Sequence, residues 1–332
     1  MLGILVPAIW LWTTITPGED MVRLRNAIGA EVGELTDFTW RPDNPPEGYL
    51  VNRGTVPSEF IEIANSIDQR TTGEAKGEFE LALAISRDLM KAPKLVGNPV
   101  QQDAAATYRA ITEQGRGYCA DFVKVFNAVA LGADAPVRQW GFGFNGFGSG
   151  HTFNEVYDST RDKWVMVDSF HSLYFVDPAS REPLSTLELH DRLLNIDGEL
   201  RDVEIVRIVP DRFPFRSDEL ALDYYRRGMP QLWLVWGNNR FDYEASWPGR
   251  LESSVHRALG QLAGLMFDKY PRIRIYPKGL SQRDLNELSE GRNEFLLAAG
   301  SFLLCLPVFG LNIISIVFGR RDSRAPGGTN AG

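Results

Sequence analysis

Cysteine and histidine are the scarce residues of this chain: two and four, respectively, in 332 positions. The cysteines lie far apart and Cys305 sits in an apolar run, which argues against a disulfide framework and leaves the compartment open. Positive charge is also short. Against 43 Asp and Glu stand 35 Lys and Arg, a net charge of −8. With no basic tract and no interleaving of basic with aromatic residues, nucleic acid is not an expected partner. No internal repeat and no metal-ligand spacing is legible, and no cofactor is expected. The glycine-rich GFGFNGFGSG (141–150) lacks the Lys-Ser/Thr of a phosphate-binding loop and runs toward a strand. It reads as a hairpin connection, with a mobile lip over a cleft as its functional version. The hydrophobic content, 44%, suffices for a sizeable core in one or two domains.

Scarcity makes one stretch stand out. Between Gly115 and Asp168 fall Cys119, His151 and Asp168, the residue types of a thiol nucleophile, a general base and an orienter. Apolar positions at Phe122, Phe126 and Val129 predict a helix over 119–131, and Gly115 and Gly117 place its start near Cys119. A thiol at a helix N-terminus feels the positive end of the macrodipole, which favours thiolate. Asp121 acts the other way, and the sequence leaves the balance open.

HTFNEVY (151–157) and DKWVMVD (162–168) read as strands around a polar break at 158–161. A four-residue loop there would set Tyr157 opposite Asp162, Asn154 opposite Val165 and His151 opposite Asp168. Asp168 would then hold one ring nitrogen of His151 and leave the other for Cys119. Of the other histidines, only His171 is a plausible substitute.

GRGYCADF, VRQWGF, GHTFNEV and WVMVD together resemble the core of the transglutaminase-like superfamily, over roughly residues 77–175. The resemblance implies a papain-like α+β fold: a helix bearing the cysteine, packed on an antiparallel sheet bearing the histidine and aspartate. It also implies a Cys119–His151–Asp168 triad. For the oxyanion hole, the backbone N–H of Cys119 is a natural first donor. The second stays open between the Trp140 indole and other groups, with Gly117 and Tyr118 as further cleft candidates and core packing the simpler role for Trp140.

The flanks suggest a membrane. Residues 295–318 form an uncharged run of spanning length followed by Arg320, Arg321 and Arg324, which the positive-inside rule places in the cytoplasm. Residues 2–16 are uncharged but shorter, and read as an N-terminal anchor. The expected organisation is an anchor (1–17), a wrap or linker (18–76), a catalytic core (77–195), an extension of unknown role (196–293), a transmembrane helix (294–318) and a cytoplasmic tail (319–332). In the extension, Leu251, Val255, Leu259, Leu262 and Met266 predict one helical stripe, and VEIVRIV, LWLVW and RIRIY predict strands.

The reading is a membrane-anchored thiol enzyme with its catalytic domain outside the cytoplasm. It would act on peptide or protein amides through a Cys119 thioester. Bacterial relatives, as the resemblance implies, favour hydrolysis over amine cross-linking. The alternative is a non-catalytic binding or assembly module of a cell-envelope complex or surface-polysaccharide system.

Overall fold

In the computed structural model, residues 19–70 and 77–301 are described, apart from 101, 149, 197, 199–201 and 298. Along the chain, α1 (Glu19–Gly29) leads into β1 (Ala30–Val32), and a loop follows to β2 (Leu50–Val51). Three helices come next: α2 (Ser58–Arg70), α3 (Glu78–Leu89) and α4 (Ala104–Gln114). The cysteine helix α5 (Cys119–Gly132) precedes β3 (Val137–Gly143), β4 (Gly150–Asp158), β5 (Lys163–Val167) and β6 (Leu173–Val176). After α6 (Thr186–Leu193), β7 (Glu204–Arg207) and α7 (Asp218–Gly228) come β8 (Leu232–Val235) and β9 (Gly237–Asn238). The short helices α8 (Arg240–Ala245), α9 (Trp247–Ser254) and α10 (Arg257–Met266) lead to β10 (Ile273–Ile275) and to α11 over residues 282–297.

A six-stranded sheet, ordered β1-β10-β8-β3-β4-β5, organises these elements. Its pairs are antiparallel except β1 with β10. Alternation along the strands divides the side chains between two layers. Val137, Val156, Val165 and Val167 pack with Phe122, Val125, Phe126 and Val129 of α5 and with apolar residues of α2, α3 and α4. Trp140, Phe142, Phe153 and Met166 pack on the other face with Phe38, the antiparallel β6–β7 pair, α6 and α7. The α+β class of the sequence reading therefore describes the molecule.

Helix α5 starts at the cysteine because the chain before it cannot be helical. Gly115 (φ +65°) closes α4, and a Cβ there would lie 1.7 Å from the Lys94 carbonyl oxygen. Gly117 takes φ +143°, open to glycine alone. Asp121 then caps the helix by accepting from the Tyr118 N–H at 2.9 Å.

Four expectations need correction. The hairpin register is shifted: Asn154 faces Val167, Tyr157 faces Trp164 and Asp158 faces Lys163. The loop does have four residues, but it runs over 159–162 because Asp158 stays in the strand and Asp162 adopts positive φ. Second, the 18–76 and 196–293 segments contribute strands to the sheet of the 77–195 core, since β1, β8 and β10 belong to the same sheet as β3, β4 and β5. Third, the 251–266 stripe is not one helix. The chain breaks at Val255, and Val255, Leu259 and Met266 are exposed, so apolar period alone misread a kinked surface pair. Fourth, the glycine-rich loop is pinned rather than a free lip. Phe147 is fully buried, its N–H donates to Gln231 and its carbonyl accepts from Asn26.

Among the described residues, no helix is long and apolar enough to cross a membrane. The expected anchor over 2–16 and residues 302–318 of the expected span lie outside the described residues.

Candidate active site

Strand order and side-chain alternation decide what meets at the start of α5. His151 is the second residue of β4 and lies opposite Phe142, on the sheet face that α7 covers. Asp168 follows β5 directly, where the chain leaves the sheet to bridge with Leu173. The register shift of two residues preserves the face, because side chains repeat every second position. His151 and Asp168 are therefore diagonal rather than opposite, and their side chains still meet. His151 Nε2 lies 2.5 Å from Asp168 Oδ2, with both side chains buried.

Asp168 Oδ2 is shared more widely than the sequence suggested. The Tyr225 hydroxyl donates to it, and His171 Nδ1 stands 3.3 Å away. Asp168 Oδ1 accepts from the His171 backbone N–H at 2.9 Å. The His171 ring stacks on His151 with centroids 4.1 Å apart, and its Nδ1 also meets the Tyr225 hydroxyl at 3.0 Å. Burial by itself would push the Asp168 carboxyl up. The rings of His151 and His171, with their hydrogen bonds, outweigh burial and hold it well below the usual carboxylate range. For His151 burial wins: it lowers the ring's pKa, against the pull of Asp168 and with a further push from His171. The resting site is thus a carboxylate beside a neutral imidazole. Asp168 accepts the Nε2 proton, so Nδ1 carries the free lone pair.

Cys119 is half-buried at the first position of α5. The backbone N–H groups of Thr152, the residue that follows His151, and of Ala120 act on its sulfur and favour the thiolate. Among the described residues no hydrogen bond joins Cys119 to His151. Burial is the largest influence on the thiol and pushes it up to about 11, with Asp168 and Asp121 adding to it and the two N–H groups opposing. The balance left open by the sequence therefore falls on the side of neutral thiol.

Chemically, the arrangement is a thiol, a neutral base with its lone pair on one defined nitrogen, and a carboxylate fixing the other. Residues 65–169 match the transglutaminase-like superfamily. That stretch, about a third of the chain, contains Cys119, His151 and Asp168 and stops short of His171. Its transglutaminase-like character is consistent with cysteine-dependent acyl transfer or peptidase chemistry in general, in a superfamily with many non-catalytic members. No curated protein and no solved structure was found to match the chain.

Around that transglutaminase-like core, the remaining candidates separate. Trp140 is fully buried, and its indole N–H donates to Glu155 Oε2 at 2.5 Å, so it is a core residue with its donor already used. The Tyr118 N–H is likewise taken, by Asp121. Gly117 shapes the approach to Cys119, as its φ shows. Tyr224, Tyr225 and Phe215 were not legible as site residues. They come from α7 and the loop before it, and Tyr224 rests on Phe142 and faces the rings of His151 and His171. The only advance signal was aromatic density, which ordinary cores share.

His151, Asp168 and His171 also form a trio whose ligand atoms lie within 4.8 Å of one another, a grouping not visible as a sequence motif. Two ligands on one first-row ion, with bonds of about 2.0 Å at tetrahedral angles, stand roughly 3.3 Å apart. The His171–Asp168 distance has that value, but the 2.5 Å between His151 and Asp168 is a hydrogen bond with no space for an ion. The trio as arranged orients a base.

Proposed function

We propose that this protein is a cysteine-dependent amide acyltransferase that releases its acyl group to water. The observation that carries the reading is the His151–Asp168 pair, buried and joined through Nε2 next to Thr152, whose N–H acts on the Cys119 sulfur. In the proposed reaction, His151 Nδ1 takes the Cys119 thiol proton as the sulfur attacks an amide carbonyl. The tetrahedral oxyanion collapses, the C–N bond breaks, and the amine leaves with the proton from His151. The thioester is then attacked by water, whose proton passes to His151, and the acid departs as the thiol re-forms. The neutral thiol means that proton removal accompanies attack. The Cys119 N–H at the start of α5 is the first oxyanion donor in this scheme.

The substrate class is a peptide or protein amide. We place the domain outside the cytoplasm on a span at 295–318, on the support of 24 uncharged residues followed by three arginines. A second reading, a non-catalytic module of a cell-envelope complex, draws on the burial that raises the Cys119 thiol.

Mass spectrometry of the protein after exposure to a library of peptide amides tests the choice. A thioester adduct on Cys119 is expected in the wild type and its loss in His151→Ala. Absence of both adduct and released amine from folded wild-type protein would favour the non-catalytic module.

A further inference from the structure

Behind the Cys119 site lies a second feature that the acyl-transfer scheme does not use. A partly open cavity of about 90 Å³ runs along α5 toward the part of the sheet formed by β8 and β10. Its near wall includes Ala120, the neighbour of Cys119, and Thr152, the neighbour of His151. Asn127 and Gln139 line its middle, and Arg25 and Arg240 contribute positive charge. No described carboxylate lines it.

Among the described residues neither guanidinium forms an ion pair shorter than 3.8 Å. Arg25 donates to the side-chain oxygen of Asn26, a neutral acceptor. Arg240 reaches Glu244 only at 3.8 Å, and its Nε is buried with no acceptor. A guanidinium held at a cavity wall with donors to spare is the side chain best suited to a carboxylate. Lys124, on α5, is depressed to about 8 chiefly by burial and next by Arg240, with Glu252 and Asp121 acting the other way. The volume admits a carboxylate on a short stem.

We propose that this cavity seats a carboxylate of the substrate, so that the preferred amide lies within a few bonds of an acidic group, as in a peptide with an acidic side chain or a free terminal carboxyl beside the scissile bond. The proposal rests on the assignment of Cys119 and His151 as the reacting pair. Arg240 is its specificity-determining residue, and Arg25 adds long-range attraction.

Affinity alkylation tests it without knowledge of the natural substrate. Chloroacetyl-glycine and chloroacetyl-β-alanine are compared with their carboxamide forms, and the rate of Cys119 alkylation is followed for each. The readout is the carboxylate-to-carboxamide ratio, so a general change in thiol reactivity cancels. The wild type should favour the carboxylates by about tenfold, the effect of one charge-assisted hydrogen bond. Arg240→Gln should bring the ratio close to one, and Arg240→Lys, which keeps the charge, should retain part of it. Equal rates in the wild type, with alkylation still dependent on His151, would overturn the cavity assignment and leave the acyl-transfer reading standing. A preference that survives Arg240→Gln would remove Arg240 from the role. Alkylation indifferent to His151 would instead overturn the reading on which the proposal rests.

Discussion

The Tyr225 hydroxyl donates to Asp168 Oδ2, the same oxygen that holds His151 Nε2. Two residues 57 apart in sequence thereby share one acceptor, and α7 becomes part of the site. Tyr225→Phe removes one donor from a buried carboxylate, a loss of about 1–3 kcal/mol for a charged acceptor. The carboxylate is then less favoured, so the Asp168 pKa rises from its depressed value. Stability from an ionised Asp168 is present above the unfolded carboxyl pKa and lost as pH falls through the folded one. The variant should therefore begin acid unfolding at higher pH than the wild type, and an acid limb in its pH–rate profile should shift upward. Thermal melts from pH 3 to 7, where an unchanged acid limb would count against this role, measure it.

Cys119 supplies a prediction at the alkaline end. Its thiol is raised to about 11 by burial first, then by Asp168 and Asp121. Iodoacetamide should alkylate it slowly at neutral pH, with the rate climbing about tenfold per pH unit until near 11. A raised folded pKa also means that the native state holds its proton longer than the unfolded chain. The associated stability is full below the unfolded thiol pKa and is lost as pH rises toward about 11. Cys119→Ala should flatten that part of the pH–stability curve. A fast alkylation plateau below pH 7 would show a preformed thiolate and contradict this account.

Glu155 is the group whose loss should cost the most stability. It is fully buried, pairs with Arg138 at 2.7 Å, accepts from Trp140 at 2.5 Å and accepts from the Thr186 N–H at 2.6 Å. Glu155→Ala strands a buried guanidinium, and breaking such a pair costs about 3–5 kcal/mol. Glu155→Gln keeps the shape and should cost less. Urea unfolding of both variants ranks them, and a Glu155→Ala midpoint equal to that of the wild type would refute the assignment.

Local signals carried much of this molecule. The start of α5 was legible because Gly115 and Gly117 cannot extend a helix and Cys119 opens an apolar period of three and four. The strands at 204–207, 232–235 and 273–275 were legible as the short apolar runs VEIVRIV and LWLVW and the alternating RIRIY. Where the chain misled, a local pattern had two physical realisations. Asp158 can open a loop or end a strand, and the choice moved the β4–β5 register by two residues. The 251–266 stripe fits one helix equally well as two short ones broken at Val255.

By itself, the sequence determined that a cysteine would stand at a helix start and that a histidine and an aspartate would share a sheet face, since helix capping and strand alternation act within a few residues. Only the tertiary structure decided that α7 closes over that face. It brought Tyr225 and His171 onto Asp168, committed the Trp140 indole to Glu155 and left the Cys119 thiol neutral. Those outcomes depend on burial and on which distant segments desolvate the site, and neither is written in the spacing of neighbouring residues.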